Sequence, residues 1–135
     1  MIGILIVAHG AFGEALIHSA SHVLGKRPLQ VRQVGVTVHD DPEAILPQAT
    51  DLVGQLDAGD GVLVLTDIYG ATPCNIALRL LQPGRVEGVS GVNLPMLVRA
   101  LTYRDKGLAL AVEKALSGGT EGVVHMTTDS CNGKL

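Results

Sequence analysis

The chain is poor in aromatic side chains, with two tyrosines, one phenylalanine and no tryptophan among 135 residues. A chain that is 47% hydrophobic yet only 2% aromatic must build its core from Val, Ile, Leu and Ala, as sheets covered by helices on both faces do. It also lacks a basic run, and with a formal charge of -3 spread over both signs it has no electrostatic or stacking footprint for nucleic acid. Cysteine is scarce too: Cys74 and Cys131 lie far apart without CxxC spacing, which excludes a disulfide scaffold and points to reduced thiols in the cytoplasm. The apolar start from Ile2 to Ala8 has no basic segment before it and is far shorter than the roughly 20 residues that span a bilayer, so it reads as a buried strand. No repeat or interdomain linker breaks the sequence, and one domain over 1–126 is expected, followed by a 127–135 tail without apolar pattern.

Ile2 to Ala8 is a nearly continuous β-prone run, the pattern of a central parallel strand, and it stops at His9-Gly10. Beyond it, Phe12, Leu16, Ala20 and Val23 recur at helical spacing as an inward face, with Glu14, His18, His22 and Lys26 opposite and a stop near Gly25. A second strand is expected over Val31 to Val38. Asp41-Pro42-Glu43 then supplies an N-cap, a first-position proline and a first-turn acid. Ile45, Ala49, Leu52, Val53 and Leu56 give that helix its buried stripe, while Pro47 should kink it or delay its regular part.

Val62 to Leu65 repeats the look of the first strand and stops at Thr66-Asp67, before the turn-rich Tyr69-Gly70-Ala71. Thr72-Pro73 is read as a second N-cap and proline pair, opening a helix to about Leu81. Val86 to Val89 suits a fourth strand, and Asn93-Leu94-Pro95 starts a helix with Met96, Leu97, Ala100 and Leu101 inward. A last helix over Leu108 to Leu116 should exit through Gly118-Gly119 to a final strand, Gly122 to Met126.

Alternating strands and helices imply an α/β fold: one open, mainly parallel sheet with right-handed crossovers and helices on both faces. For strand order 2-1-3-4, ligands bind beyond the carboxyl ends of strands one and three, where the order reverses. His9 ends strand one and Asp67 ends strand three. Two chemically active residues distant in sequence thus arrive at one crevice, where Asp67 can hold one imidazole nitrogen of His9 as N–H and free the other. Asp67 alone would be a turn residue and Thr72 alone a helix cap; the convergence is what assigns them chemistry. Backbone N–H groups at Gly10 and at the Thr72 helix start, with the close approach that Gly70 allows, are candidates to surround an incoming phosphoryl group. Glu14, His18 and His22 share one helix stripe that reads as a solvated face, and neither it nor His39 and His125 is assigned metal or other chemistry. No P-loop, dinucleotide fingerprint or nucleophile elbow is present.

Three stretches in order, Ile4-Leu5-Ile6-Val7-Ala8-His9-Gly10, then Val64 through Asn75, then Gly91-Val92-Asn93-Leu94-Pro95-Met96-Leu97, closely resemble the IIA domains of the mannose family of the phosphoenolpyruvate-dependent sugar phosphotransferase system. The resemblance implies that His9 is phosphorylated, that Asp67 orients it and that Thr72 lies beside the phosphate, with no cofactor. It implies HPr as donor and a separate IIB protein as acceptor, or a regulatory role read from the phosphorylation state. The membrane is involved only indirectly, through a IIC/IID transporter. It also implies a homodimer in which Gly122 to Met126 crosses to the partner's sheet. Gly70-Ala71-Thr72 departs mildly from the family's Gly-Gly-Ser or Gly-Gly-Thr. Three rival readings are the phosphocarrier subunit of dihydroxyacetone kinase, a small tetrapyrrole chelatase and a binding module without phosphorylation. The first expects Asp-Leu-Gly-Ser where this chain has Asp67-Ile68-Tyr69-Gly70. The second expects a histidine between His39 and His125, and there is none.

Overall fold

A computed structural model describes residues 1–128; Cys131 and most of the 127–135 tail lie outside them. Among the described residues the strands and helices follow in order: β1 (Gly3–His9), α1 (Phe12–Leu24), β2 (Val31–Val36), α2 (Pro42–Leu56), β3 (Val62–Thr66), α3 (Thr72–Leu78), β4 (Val86–Ser90), α4 (Leu94–Tyr103), a 3-10 turn (Arg104–Lys106) and α5 (Leu108–Glu121). The four strands are all parallel, in the order β2-β1-β3-β4. β1 is central, with Ile4 beside Val31 on one side and Leu63 on the other.

Side chains alternate across a strand, and this alternation divides the core in two. Ile4, Ile6 and Ala8 of β1, with Leu63 and Leu65 of β3, pack beneath Leu16, Ile17 and Ala20 of α1 and the apolar sides of α4 and α5. Leu5 and Val7, with Val62 and Val64, pack on the other face against Ala49, Val53 and Leu56 of α2 and Ile76 and Ala77 of α3. Both faces are covered, so β1 and β3 read as continuous apolar runs rather than alternating ones.

Local signals account for most of the ends. Gly25 takes φ 82° and closes α1; Asp41 accepts from the Glu43 N–H to start α2, and Asn93 accepts from the Met96 N–H to start α4. Pro47 neither breaks nor delays α2, which is one continuous helix; its missing N–H falls near the exposed N-terminal end, where water can reach the freed carbonyl.

Several expectations are corrected. Phe12 is 42% exposed and Val23 is exposed as well, because the buried stripe of α1 runs through Gly13, Leu16, Ile17 and Ala20. β2 ends at Val36, and Val38 is 92% exposed in the loop beyond it. Thr72 is the first residue of α3 rather than a side-chain cap, and that helix ends at Leu78. Gly118 and Gly119 do not end α5, which continues to Glu121. Their reason is packing: a Cβ at Gly118 would lie 2.9 Å from Arg99 Cβ and one at Gly119 would lie 2.6 Å from Met96 Cε, so bare backbone lets α5 lie close along α4. Gly122 to Met126 belongs to no strand of the sheet, and Val123, Val124 and Met126 are exposed.

Candidate functional site

β1 and β3 are neighbours, with Val7 beside Thr66 as their last pair, and His9 and Asp67 meet just beyond it. The His9 Nδ1 lies 2.7 Å from Asp67 Oδ2. The His9 backbone N–H donates to the same oxygen at 2.9 Å, and the Ile68 N–H donates to Oδ1 at 2.9 Å. Three donors therefore fix one carboxylate, so its direction toward the imidazole does not depend on a flexible side chain alone.

Desolvation of the largely enclosed Asp67 raises its pKa, but the hydrogen bonds from the His9 backbone N–H, the His9 ring and the Ile68 N–H, with the attraction of His9, outweigh it and hold the carboxyl below its ordinary range. An ionised carboxylate can only accept. Nδ1 of His9 then carries the hydrogen of this bond, and in the neutral ring Nε2 presents its lone pair. The His9 side chain is 52% exposed against 15% for Asp67: the carboxylate is enclosed while the imidazole opens to solvent.

The remaining residues of the expected set surround this pair to different degrees. Gly10 takes φ 53° and its N–H donates to the Val36 carbonyl at 2.9 Å. That N–H is committed to the sheet edge, which corrects its expected use as an open donor; Gly10 turns the chain instead. Gly70, at φ 86°, and Thr72 lie exposed on the segment that leads from Asp67 into α3. Among the described residues no hydrogen bond ties either to His9 or Asp67, and α3 packs against β1 and β3. Tyr69 and Ile68 are exposed beside them.

One contributor escaped the sequence reading. Gly35 of β2 lies so close to the turn after His9 that a Cβ there would stand 2.3 Å from the Gly10 carbonyl oxygen. A glycine inside a valine-rich strand is the signal that could have found it, since such a position often marks a close backbone approach.

Fold and site define a class: an open parallel α/β domain that holds a carboxylate-oriented imidazole at the switch point of its sheet. A family model described as a PTS system fructose IIA component matches residues 3–116. The chain belongs to this family of phosphotransferase-system IIA components. It is similar to the PTS system mannose-specific EIIAB component of Escherichia coli (strain K12), 34% identical over 124 residues that make up 87% of this chain and 38% of that protein. It thus spans little more than a third of that relative's length. The PTS system fructose-specific EIIA component of Bacillus subtilis (strain 168) is 28% identical over 106 residues, 78% of this chain and 72% of that one. Among solved structures, the phosphotransferase system component EIIA from Streptococcus agalactiae superposes with a TM-score of 0.82 at 28% identity, covering 93% of this chain and 97% of that one. These similarities do not favour the chelatase or dihydroxyacetone-kinase readings. Among the described residues, no helix is long and apolar enough to cross a membrane.

Proposed function

We propose that the protein is a phosphocarrier of a sugar phosphotransferase system, with His9 Nε2 as the atom that carries the phosphoryl group. The observation that carries this reading is the Nδ1 to Asp67 Oδ2 contact of 2.7 Å, which engages Nδ1 and leaves Nε2 of the neutral ring to act as the nucleophile on an exposed side chain. The Nε2 lone pair attacks the phosphorus of a phosphohistidine on HPr, a new N–P bond forms, and the donor's N–P bond breaks with its electron pair returning to the donor imidazole. Asp67 stabilises the positive charge that the ring of His9 gains. Gly70 and Thr72 flank the transferred group, the first by allowing close backbone approach and the second through its hydroxyl, while Gly10 sets the turn. A second transfer of the same kind delivers the group to a separate IIB protein, and the membrane is reached only through the transporter beyond it.

This function rests in residues 1–126, acting in the cytoplasm as a homodimer joined through the segment 122–126. Support for the last point is the exposure of Val123, Val124 and Met126 together, an apolar segment without a partner in its own sheet.

Intact-mass spectrometry after incubation with phosphoenolpyruvate, enzyme I and HPr tests the proposal. The protein should gain one acid-labile phosphoryl group, His9→Ala should gain none, and Asp67→Ala should gain it at least about a hundredfold more slowly. No gain with HPr from the same organism, or a phosphate mapped to Nδ1, overturns it.

A further inference from the structure

The exposed face of α1 carries two histidines that the phosphoryl site does not use. His18 and His22 stand one turn apart, their Nε2 atoms 3.3 Å from each other and their rings nearly perpendicular at a centroid separation of 4.8 Å. Two imidazolium rings, each with both nitrogens protonated, could not face one another this way. With both rings in the Nδ1–H tautomer each Nε2 keeps its lone pair, and two such nitrogens 3.3 Å apart stand at the separation of neighbouring ligands on one tetrahedral ion, reached by a small rotation of each exposed ring.

We propose that His18 and His22 form a two-histidine site for a zinc ion, each binding through Nε2. Zn–N bonds of about 2.0–2.1 Å drawn from two atoms 3.3 Å apart subtend roughly 105–110° at the metal, the angle a tetrahedral zinc site requires. Imidazole suits zinc among the ligands a helix can offer at that spacing. The backbone beneath the pair is held in place, because Leu16, Ile17 and Ala20 bury the opposite face of α1 in the core and Gly25 closes the helix just beyond. Only the two exposed side chains remain to be ordered on binding.

Glu14, one turn before His18, is held by Arg27 at both oxygens, Nη1 to Oε1 at 2.9 Å and Nη2 to Oε2 at 3.3 Å, and is not among the ligands. Among the described residues no group of three or more His, Cys, Asp or Glu converges on a metal position. Water completes the coordination, and affinity falls well short of that of four-ligand structural centres.

Calorimetric titration of the full chain with zinc chloride is the test, with thermal melting used to verify that each variant is folded. The expected result is one zinc per chain, weakened at least tenfold by His18→Gln and by His22→Gln alike. No binding at millimolar zinc overturns the proposal. So does an isotherm that both folded histidine variants leave unchanged, since the ion would then sit at another histidine such as His9.

Discussion

Asp67 carries consequences that reach beyond orienting a ring. Its carboxyl is held below the ordinary range in the folded chain, whereas in the unfolded chain it titrates near pH 3.9. The unfolded state therefore takes up this proton first as pH falls. Asp67 contributes stability that is complete above the unfolded value and is lost as pH drops through the folded one. Urea unfolding between pH 7 and about 2.5 should show the parent chain losing stability more steeply below about pH 4 than Asp67→Asn, which has no proton to bind. Parallel curves would mean that the three donors to Asp67 confer no preference for its ionised form. The same residue shows what could be read in advance: His9 and Asp67 are each a polar residue ending an apolar strand, and strand order alone brings them together. That the His9 backbone N–H and the Ile68 N–H would also bind the carboxylate depends on loop dihedrals that no residue pattern specifies.

At the scale of elements, close approach is what the pattern of apolar residues conceals. Gly35 admits the Gly10 carbonyl against β2, and Gly3 admits the Leu56 carbonyl in the same way, with a Cβ at that position only 2.5 Å away. Backbone cannot move aside as a side-chain tip can. Gly35→Ala should therefore cost about 1–3 kcal/mol in denaturant unfolding, as overpacking does, and should also slow phosphoryl uptake by His9 through the displaced turn. Loss of stability with unaltered uptake would separate the turn from the chemistry. Glycine explains the largest misreading as well. Gly118-Gly119 has the composition of a loop, yet contact with Arg99 and Met96 keeps it helical, and the gain from packing α5 on α4 outweighs about 1 kcal/mol of helix propensity for each glycine. In α1, Phe12 and Val23 fit a helical period but not the sector that meets the sheet, since period fixes spacing and leaves the facing direction to tertiary contacts.

Across the whole molecule, the sheet leaves one side of β2 and, beyond a bridge of Val86 to Gln82, the outer side of β4 unpaired within the described chain, and the apolar residues after α5 are exposed. Unpaired strand edges invite further pairing. Analytical ultracentrifugation should find a dimer for the full chain and a folded monomer for a chain ending at Glu121; a monomer in both cases would remove 122–126 from any role in association. The α/β class, the parallel sheet and its two-sided core were determined by the sequence on its own, because the alternation of apolar runs, caps and turns leaves right-handed parallel crossovers as the consistent packing; given the order β2-β1-β3-β4, the meeting of His9 with Asp67 follows from where their strands stop. Only the tertiary structure decided the sector of α1 that is buried, the length of α5, the commitment of the Gly10 N–H to Val36 and the facing of His18 by His22. Those depend on distances between atoms remote in the chain, and a periodic pattern records which residues prefer burial but not which atoms will touch.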